Sequence, residues 1–158
     1  MKQNNPITKI GFEKLQKELE HLIKVEREQL KVAINDAREL GDLKENAEYH
    51  SAKEKQALVE GRISQLQAIV ANAQVIDPST IENERVVFGA TVKLFDVEKD
   101  ESVEYKIVGQ DESDFSNGLV SFNSPLGKAL IGKEEGDTVI VKAPKGDVEY
   151  EIENIEYK

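Results

Sequence analysis

From about Gly11 to about Ala73, apolar residues recur at three- and four-residue steps. In a first arm the recurring set is Leu15, Leu19, Leu22, Leu30, Ala33, Ala37 and Leu40, and Glu26 is the one charged residue at a stripe position. In a second arm Ala52, Gln56, Val59, Ile63, Leu66, Val70 and Ala73 follow a 4-3-4-3-4-3 spacing. Heptad-like stripes sustained on two adjacent arms predict two helices packed knobs into holes. The short stretch between them makes the pair antiparallel. Thr8 precedes the first arm as an N-cap, with Gly11 softening the start of the helix. Each arm has roughly 28 residues, so at about 1.5 Å per residue the hairpin is about 40 Å long. The turn falls in Leu40-Gly41-Asp42-Leu43-Lys44-Glu45-Asn46. Gly41 suits the left-handed conformation that ends a helix. Asp42 suits the cap of the next helix, with Glu45 three residues on in capping-box spacing.

After Asp77-Pro78-Ser79-Thr80 the period changes. Alternating and β-branched runs follow at Ala90–Val97, Val103–Val108, Leu119–Phe122, Thr138–Val141 and Val148–Ile155. Turn signals separate them: Asn117-Gly118, Glu135-Gly136-Asp137 and Pro144-Lys145-Gly146-Asp147. Ser124-Pro125 followed by Leu126 to Ile131 predicts a short helix with Ser as cap and Pro at its first position. The expected fold is α+β: a coiled-coil hairpin domain over 1–76 with its tip at 41–46, a linker at 77–85, and a small antiparallel β-sheet domain with one short helix over 86–158.

Charge divides along the same boundary. The chain of 158 residues carries a formal charge of −10. Through Ile76 the basic and acidic residues balance at twelve each, whereas beyond it nine face nineteen. Binding to nucleic-acid phosphates draws on a basic surface, because its affinity comes largely from counterion release. The acidic half therefore points to a protein partner and away from sequence-specific DNA binding. The neutral half leaves room for a local basic patch. There is no cysteine, which excludes disulfides and thiolate metal sites and fits a reducing cytosol. No apolar run reaches the roughly 20 residues of a membrane span, and Met1 to Ile10 lacks a secretory apolar stretch. A soluble, cytoplasmic protein is expected.

Between Asp36 and Glu48 stand five carboxylates (Asp36, Glu39, Asp42, Glu45, Glu48) and two basic residues, Arg38 and Lys44. Asp42 and Glu45 are three apart at the extremity. On a first helical turn that spacing puts both on neighbouring parts of one surface. Two such carboxylates suit a hard cation such as Mg²⁺, which is commonly held by one or two carboxylates plus waters and substrate phosphates. Two side chains alone hold it weakly, so a partner has to supply further ligands. On residue types alone, a solvated turn between two helices explains the same residues.

The run Ala37-Arg38-Glu39-Leu40-Gly41-Asp42-Leu43-Lys44-Glu45-Asn46-Ala47-Glu48-Tyr49-His50 resembles the coiled-coil tip of the Gre family of bacterial transcript cleavage factors, in its GreA type. Glu60-Gly61-Arg62-Ile63, Asn72 to Asp77, Val87 to Val92 and Asn123 to Lys133 extend the resemblance over nearly the whole chain. The resemblance implies a C-terminal domain with an FKBP-like fold that docks at the rim of the RNA polymerase secondary channel. It implies a coiled coil that reaches down the channel and stimulates Mg²⁺-dependent endonucleolytic cleavage of the backtracked RNA 3′ end. Asp42 and Glu45 correspond to the catalytic acids of the family, sharing the second catalytic Mg²⁺ with polymerase, so the chain is not expected to be an enzyme by itself.

The family's basic patch for extruded RNA corresponds to Arg38 and to Lys53. Lys53 stands where Arg is common, keeping the charge but losing the planar fork for phosphate. A charge paired along the helix explains both residues equally well. The docking surface corresponds to the region of Ser124 and Pro125, where a simple helix start is a second reading compatible with the first. His21 and His50 are isolated and have no Cys partners, which argues against metal ligation. Gly109, Gly118 and Gly127 do not form a phosphate loop. Two other functions compete: a prolyl isomerase or chaperone built on the second domain, and an inhibitor that binds the same channel. Fold alone decides neither.

Overall fold

A computed structural model of the chain describes residues 5–42 and 45–158. Two compact units emerge: residues 12–72, and the segment up to Gly11 together with 73–158.

The first unit is the helical hairpin. Helix α1 (Lys9–His21) runs through a five-residue π turn (Leu22–Glu26) into α2 (Arg27–Glu39), and α3 (Ala47–Asn72) returns. His21 and Arg27 flank the π turn with right-handed helical φ and ψ, so the first arm is one continuous helix. A π turn accommodates one extra residue per turn and so shifts the phase of everything beyond it. Leu15 before the turn and Leu22 at its first position are buried as the stripe predicts. Beyond it the buried residues are Ile34 and Ala37, whereas Ala33 and Leu40 are exposed. Of the predicted stripe there, Ala37 is buried as expected and Leu30 is half-buried, while Ile34 takes the place of Ala33 and Leu40 drops out. Glu26, the charge that interrupts the stripe, lies in the π turn, 3.7 Å from His21 Nε2.

On the return arm Ala52, Ile63 and Leu66 are buried. Two forked ion pairs tie the arms together. Arg27 donates from Nε and Nη2 to Glu60 at 2.8 and 2.9 Å. Arg62 donates from Nε and Nη2 to Glu18 at 2.8 and 3.0 Å. Those hydrogen bonds hold the Glu60 and Glu18 carboxyls below the usual carboxylate range.

The second unit holds two sheets. Strands β1 (Asn5–Thr8) and β2 (Ala73–Ile76) form a parallel pair that sequence periodicity does not reveal. Residues 5–11 and 73–76 thus belong with this unit, whereas the sequence reading places them with the hairpin. Thr8 caps α1 as expected, its Oγ1 accepting from Gly11 N at 3.1 Å. Glu112 fastens the strand: its carboxylate accepts from Thr8 N at 2.7 Å, from Gly109 N at 3.0 Å and from the Thr8 hydroxyl. The second sheet contains β3 (Thr91–Asp96), β4 (Glu101–Val108), β5 (Leu119–Ser121), β6 (Thr138–Ala143) and β7 (Gly146–Glu156), in the order β5-β4-β3-β7-β6.

Three of its pairings are antiparallel, but β4 and β5 run parallel, with Lys106 opposite Leu119. The antiparallel expectation fails at that edge because the segment between β4 and β5 is a returning loop with a 3₁₀ turn at Phe115–Asn117, not a tight hairpin. Helix α4 (Pro125–Leu130) forms at the predicted place. The core combines Val92, Leu94, Ile107, Val120, Leu130 and Ile152, with Tyr105, Phe122 and Tyr150 packed around it. The linker of the sequence reading contains a 3₁₀ turn at Pro78–Thr80, capped by Asp77, which accepts from Ser79 N at 3.0 Å. No helix among the described residues is long and apolar enough to cross a membrane.

Candidate functional site at the hairpin tip

Helix α2 closes with Leu40 N donating to Ala37 O at 3.1 Å, and Gly41 follows at φ +120°, a conformation that side chains with a Cβ rarely adopt. Asp42 and Glu45 are both exposed and both lie outside the helices. Leu43 and Lys44, the middle of the 41–46 tip, lie outside the described residues. The predicted cap is corrected here. Helix α3 starts at Ala47, and the capping side chain is Asn46, whose Oδ1 accepts from Tyr49 N at 3.0 Å. The Asn46 amide also donates to Ala37 O in the last turn of α2. Asp42 and Glu45 therefore do not sit on a first helical turn. They are carried on a loop whose two ends meet at the Asn46 side chain.

Arg38 is exposed in the last turn of α2, and its guanidinium carbon stands 5.9 Å from the centroid of the Tyr49 ring. The Tyr49 and His50 rings meet edge to face at 5.7 Å. Lys53, one turn further along α3, is exposed, and its Nζ donates to Gln56 Oε1 at 3.0 Å. Arg38 is thus tied to the opposite arm through Tyr49, and Lys53 to its own helix. Sequence reasoning missed Asn46 and Tyr49. The signal for Asn46 was available, since Asn is as good a cap as Asp and stands immediately before the helix.

The donor set at the tip is two carboxylates, hard oxygen ligands of the kind Mg²⁺ takes. Among the described residues no group of three or more His, Cys, Asp or Glu side chains is placed to hold a metal ion. Two carboxylates are fewer ligands than a complete Mg²⁺ shell needs.

In the second unit Ser124 caps α4: its Oγ accepts from Gly127 N at 3.1 Å and donates to Ser121 O at 2.7 Å. Pro125 is exposed at the first helical position. A Cβ on Gly127 would lie 2.2 Å from Ser121 O, so glycine lets the helix close onto the preceding strand. That close packing, and not phosphate binding, accounts for Gly127.

Comparison with known proteins covers both units. The family described as "Transcription elongation factor, N-terminal" matches residues 5–75, and "Transcription elongation factor, GreA/GreB, C-term" matches residues 81–157. Transcription elongation factor GreA of Nitratiruptor sp. is 51% identical over all of this chain and 96% of its own. The protein of the same name from Alkalilimnicola ehrlichii is 55% identical over 96% of this chain and 97% of its own. Among solved structures, the GreA factor homolog 1 protein of Thermus thermophilus aligns over 98% of this chain and 99% of that one, at 26% identity and a TM-score of 0.45. With family matches across both the hairpin and the sheet unit, and relatives half identical from end to end, the chain belongs to the GreA/GreB family of transcription elongation factors.

Proposed function

We propose that this elongation factor acts in the cytoplasm by inserting its hairpin into the secondary channel of RNA polymerase and stimulating endonucleolytic cleavage of the backtracked RNA 3′ end. The observation that carries the reading is the placement of Asp42 and Glu45, both exposed on the loop between the arms and outside either helix. Their carboxylates would complete the shell of a loosely held second Mg²⁺ whose other ligands belong to polymerase. When bound there, Mg²⁺ supplies electrostatic stabilisation to the attacking and leaving oxygens of the phosphodiester. One of the two carboxylates positions the attacking water or takes its proton. A two-ligand site is sufficient because docking of the sheet unit, FKBP-like by resemblance, keeps the tip at high effective concentration near its target. The corner formed by half-buried Ser124 and exposed Pro125 is assigned to that docking. Arg38 and Lys53 are assigned to the extruded RNA. The chain supplies part of a catalytic centre and is not an enzyme by itself.

A prolyl isomerase or chaperone reading is not favoured. One open cleft of the sheet unit is lined by Glu82, Asn83, Glu84, Arg85 and Glu134, and another by Ile10, Thr91, Lys106, Leu119 and Lys158 among others. Neither offers the aromatic walls that such a site needs. The deciding experiment uses purified backtracked elongation complexes, with the factor added across a range of Mg²⁺ concentrations. Release of short 3′ RNA fragments above the level of polymerase alone is expected. Slower elongation without fragment release would overturn the cleavage reading in favour of an inhibitor of the same channel.

A further inference from the structure

The loop that carries the two carboxylates begins and ends at one side chain. Asn46 donates from its amide to Ala37 O in the closing turn of α2, and accepts at Oδ1 from Tyr49 N in the opening turn of α3. Backbone groups at helix ends have no partner inside the helix. The Asn46 side chain satisfies an orphan N–H at the start of α3 and adds a second donor to Ala37 O, which also accepts from Leu40 N. Beside it, the Arg38 guanidinium lies over the Tyr49 ring, a second link between the same two turns. Gly41, at φ +120°, bends the chain within the span closed by these links.

We infer that Asn46 is a positioning residue for the cleavage reaction. It closes the base of the tip loop and thereby fixes where Asp42 and Glu45 present their oxygens. The inference rests on the cleavage reading above. An N-cap requires only the oxygen of Asn46, because only the oxygen accepts from Tyr49 N. The NH₂ group is the part that reaches across to the other arm, and capping does not explain it. Small displacements of a group acting on a reacting centre cost rate steeply.

Separating the two roles requires two variants of the full chain. Asn46→Ser keeps a side-chain oxygen of the preferred capping type but is too short to reach Ala37 O. Asn46→Ala loses both contacts. Three measurements are made on each: the thermal unfolding midpoint by circular dichroism, competition for polymerase, and stimulated cleavage as a function of Mg²⁺. For Asn46→Ser the expected midpoint and polymerase competition match the original protein. Cleavage is expected to fall about five- to tenfold, less than the roughly 10²-fold that a misplacement of about 1 Å at a reacting centre costs, and the Mg²⁺ concentration for half-maximal stimulation is expected to rise several-fold. Asn46→Ala should show the same cleavage defect together with a lowered midpoint. Should Asn46→Ser cleave with unchanged rate and Mg²⁺ dependence while the original protein is active, the positioning role is overturned and Asn46 is a cap only. If the original protein itself releases no RNA, the cleavage reading fails first, and the two failures are told apart in one assay.

Discussion

The two units hold themselves together by different means. The sheet unit surrounds one continuous core in which Val92, Leu94, Ile107 and Leu130 are completely buried. The hairpin buries a thin seam, with Leu15, Leu22, Ile34, Ala37, Ala52, Ile63 and Leu66, and supplements it with forked Arg–carboxylate pairs at its surface. A two-helix seam stabilises little per residue because each helix has one covered face. On the proposed reading, such a build suits an element whose chemistry lies in the loop between the arms and makes no demand on the seam. The contrast teaches that stability and chemistry are separable in this chain: substitutions in the tip loop should alter activity at constant fold, and substitutions in the core should do the reverse.

The largest expected effect tests the chemical end of that contrast. Asp42→Ala combined with Glu45→Ala should lower stimulated cleavage by at least about 10², the scale on which a lost electrostatic contribution to a transition state is felt. Stability read by circular dichroism should stay within about 0.5 kcal/mol per substitution, the usual range for exposed positions outside the core. A double variant that still releases short RNA at the original rate would remove the tip from the reaction.

The next effect tests the core. Leu94→Ala, at a completely buried position, should destabilise the sheet unit by about 2–5 kcal/mol. Tyrosine fluorescence is a suitable probe, because Tyr105, Tyr150 and Tyr157 belong to this unit and the chain has no Trp. A shift below about 0.5 kcal/mol would mean that this core is not what holds the sheet together.

A smaller effect sharpens the reading of the hairpin. Because Ile34 lies on the buried seam and Leu40 does not, Ile34→Ala should cost about 2 kcal/mol or more, whereas Leu40→Ala, 67% exposed, should stay within about 0.5 kcal/mol. Helicity at 222 nm during denaturant unfolding reads both. Equal costs would place Leu40 back on the seam.

These tests also mark what the sequence makes legible. Both arms, all five strands of the larger sheet and helix α4 are read from periodicity and turn chemistry, because each is decided by contacts within a few residues or by a face that alternates regularly. The β1–β2 pair is not, since Asn5-Pro6-Ile7-Thr8 and Ala73-Gln74-Val75-Ile76 are four-residue strands far apart in sequence, with no alternation to announce them. The π turn escapes because one extra helical residue leaves the composition unchanged, although Glu26 on the stripe was its trace. At the tip, Asp42, Glu45 and Arg38 stand out by residue type. Asn46 does not, because Asp42 and Asn46 are equally good caps and only the helix start at Ala47 distinguishes them.

The smallest expected effect concerns the pair between Arg62 and Glu18. The hydrogen bond from Arg62 holds the Glu18 carboxyl below its ordinary value of 4.5. A folded-state value below the unfolded one means that the pair contributes stability above the unfolded pKa and loses that contribution as pH falls through the lowered folded pKa. Both side chains are well over a third exposed, at 37% and 41%, so solvent screening limits the contribution to ~0.2–1 kcal/mol. Glu18→Gln should therefore be less stable than the original protein at neutral pH by about that amount. The difference should shrink as the pH falls below about 4.5 and close once the pH has fallen through the lowered folded-state pKa, where the original carboxyl is also neutral. Taking the difference between the two proteins at each pH cancels the titration of Glu60 and the other carboxyls that they share. A gap that stays constant from neutral to acid pH would assign the stabilisation to the packing of the Glu18 stem instead of its charge, and the hairpin would then be held by apolar contacts along its whole length.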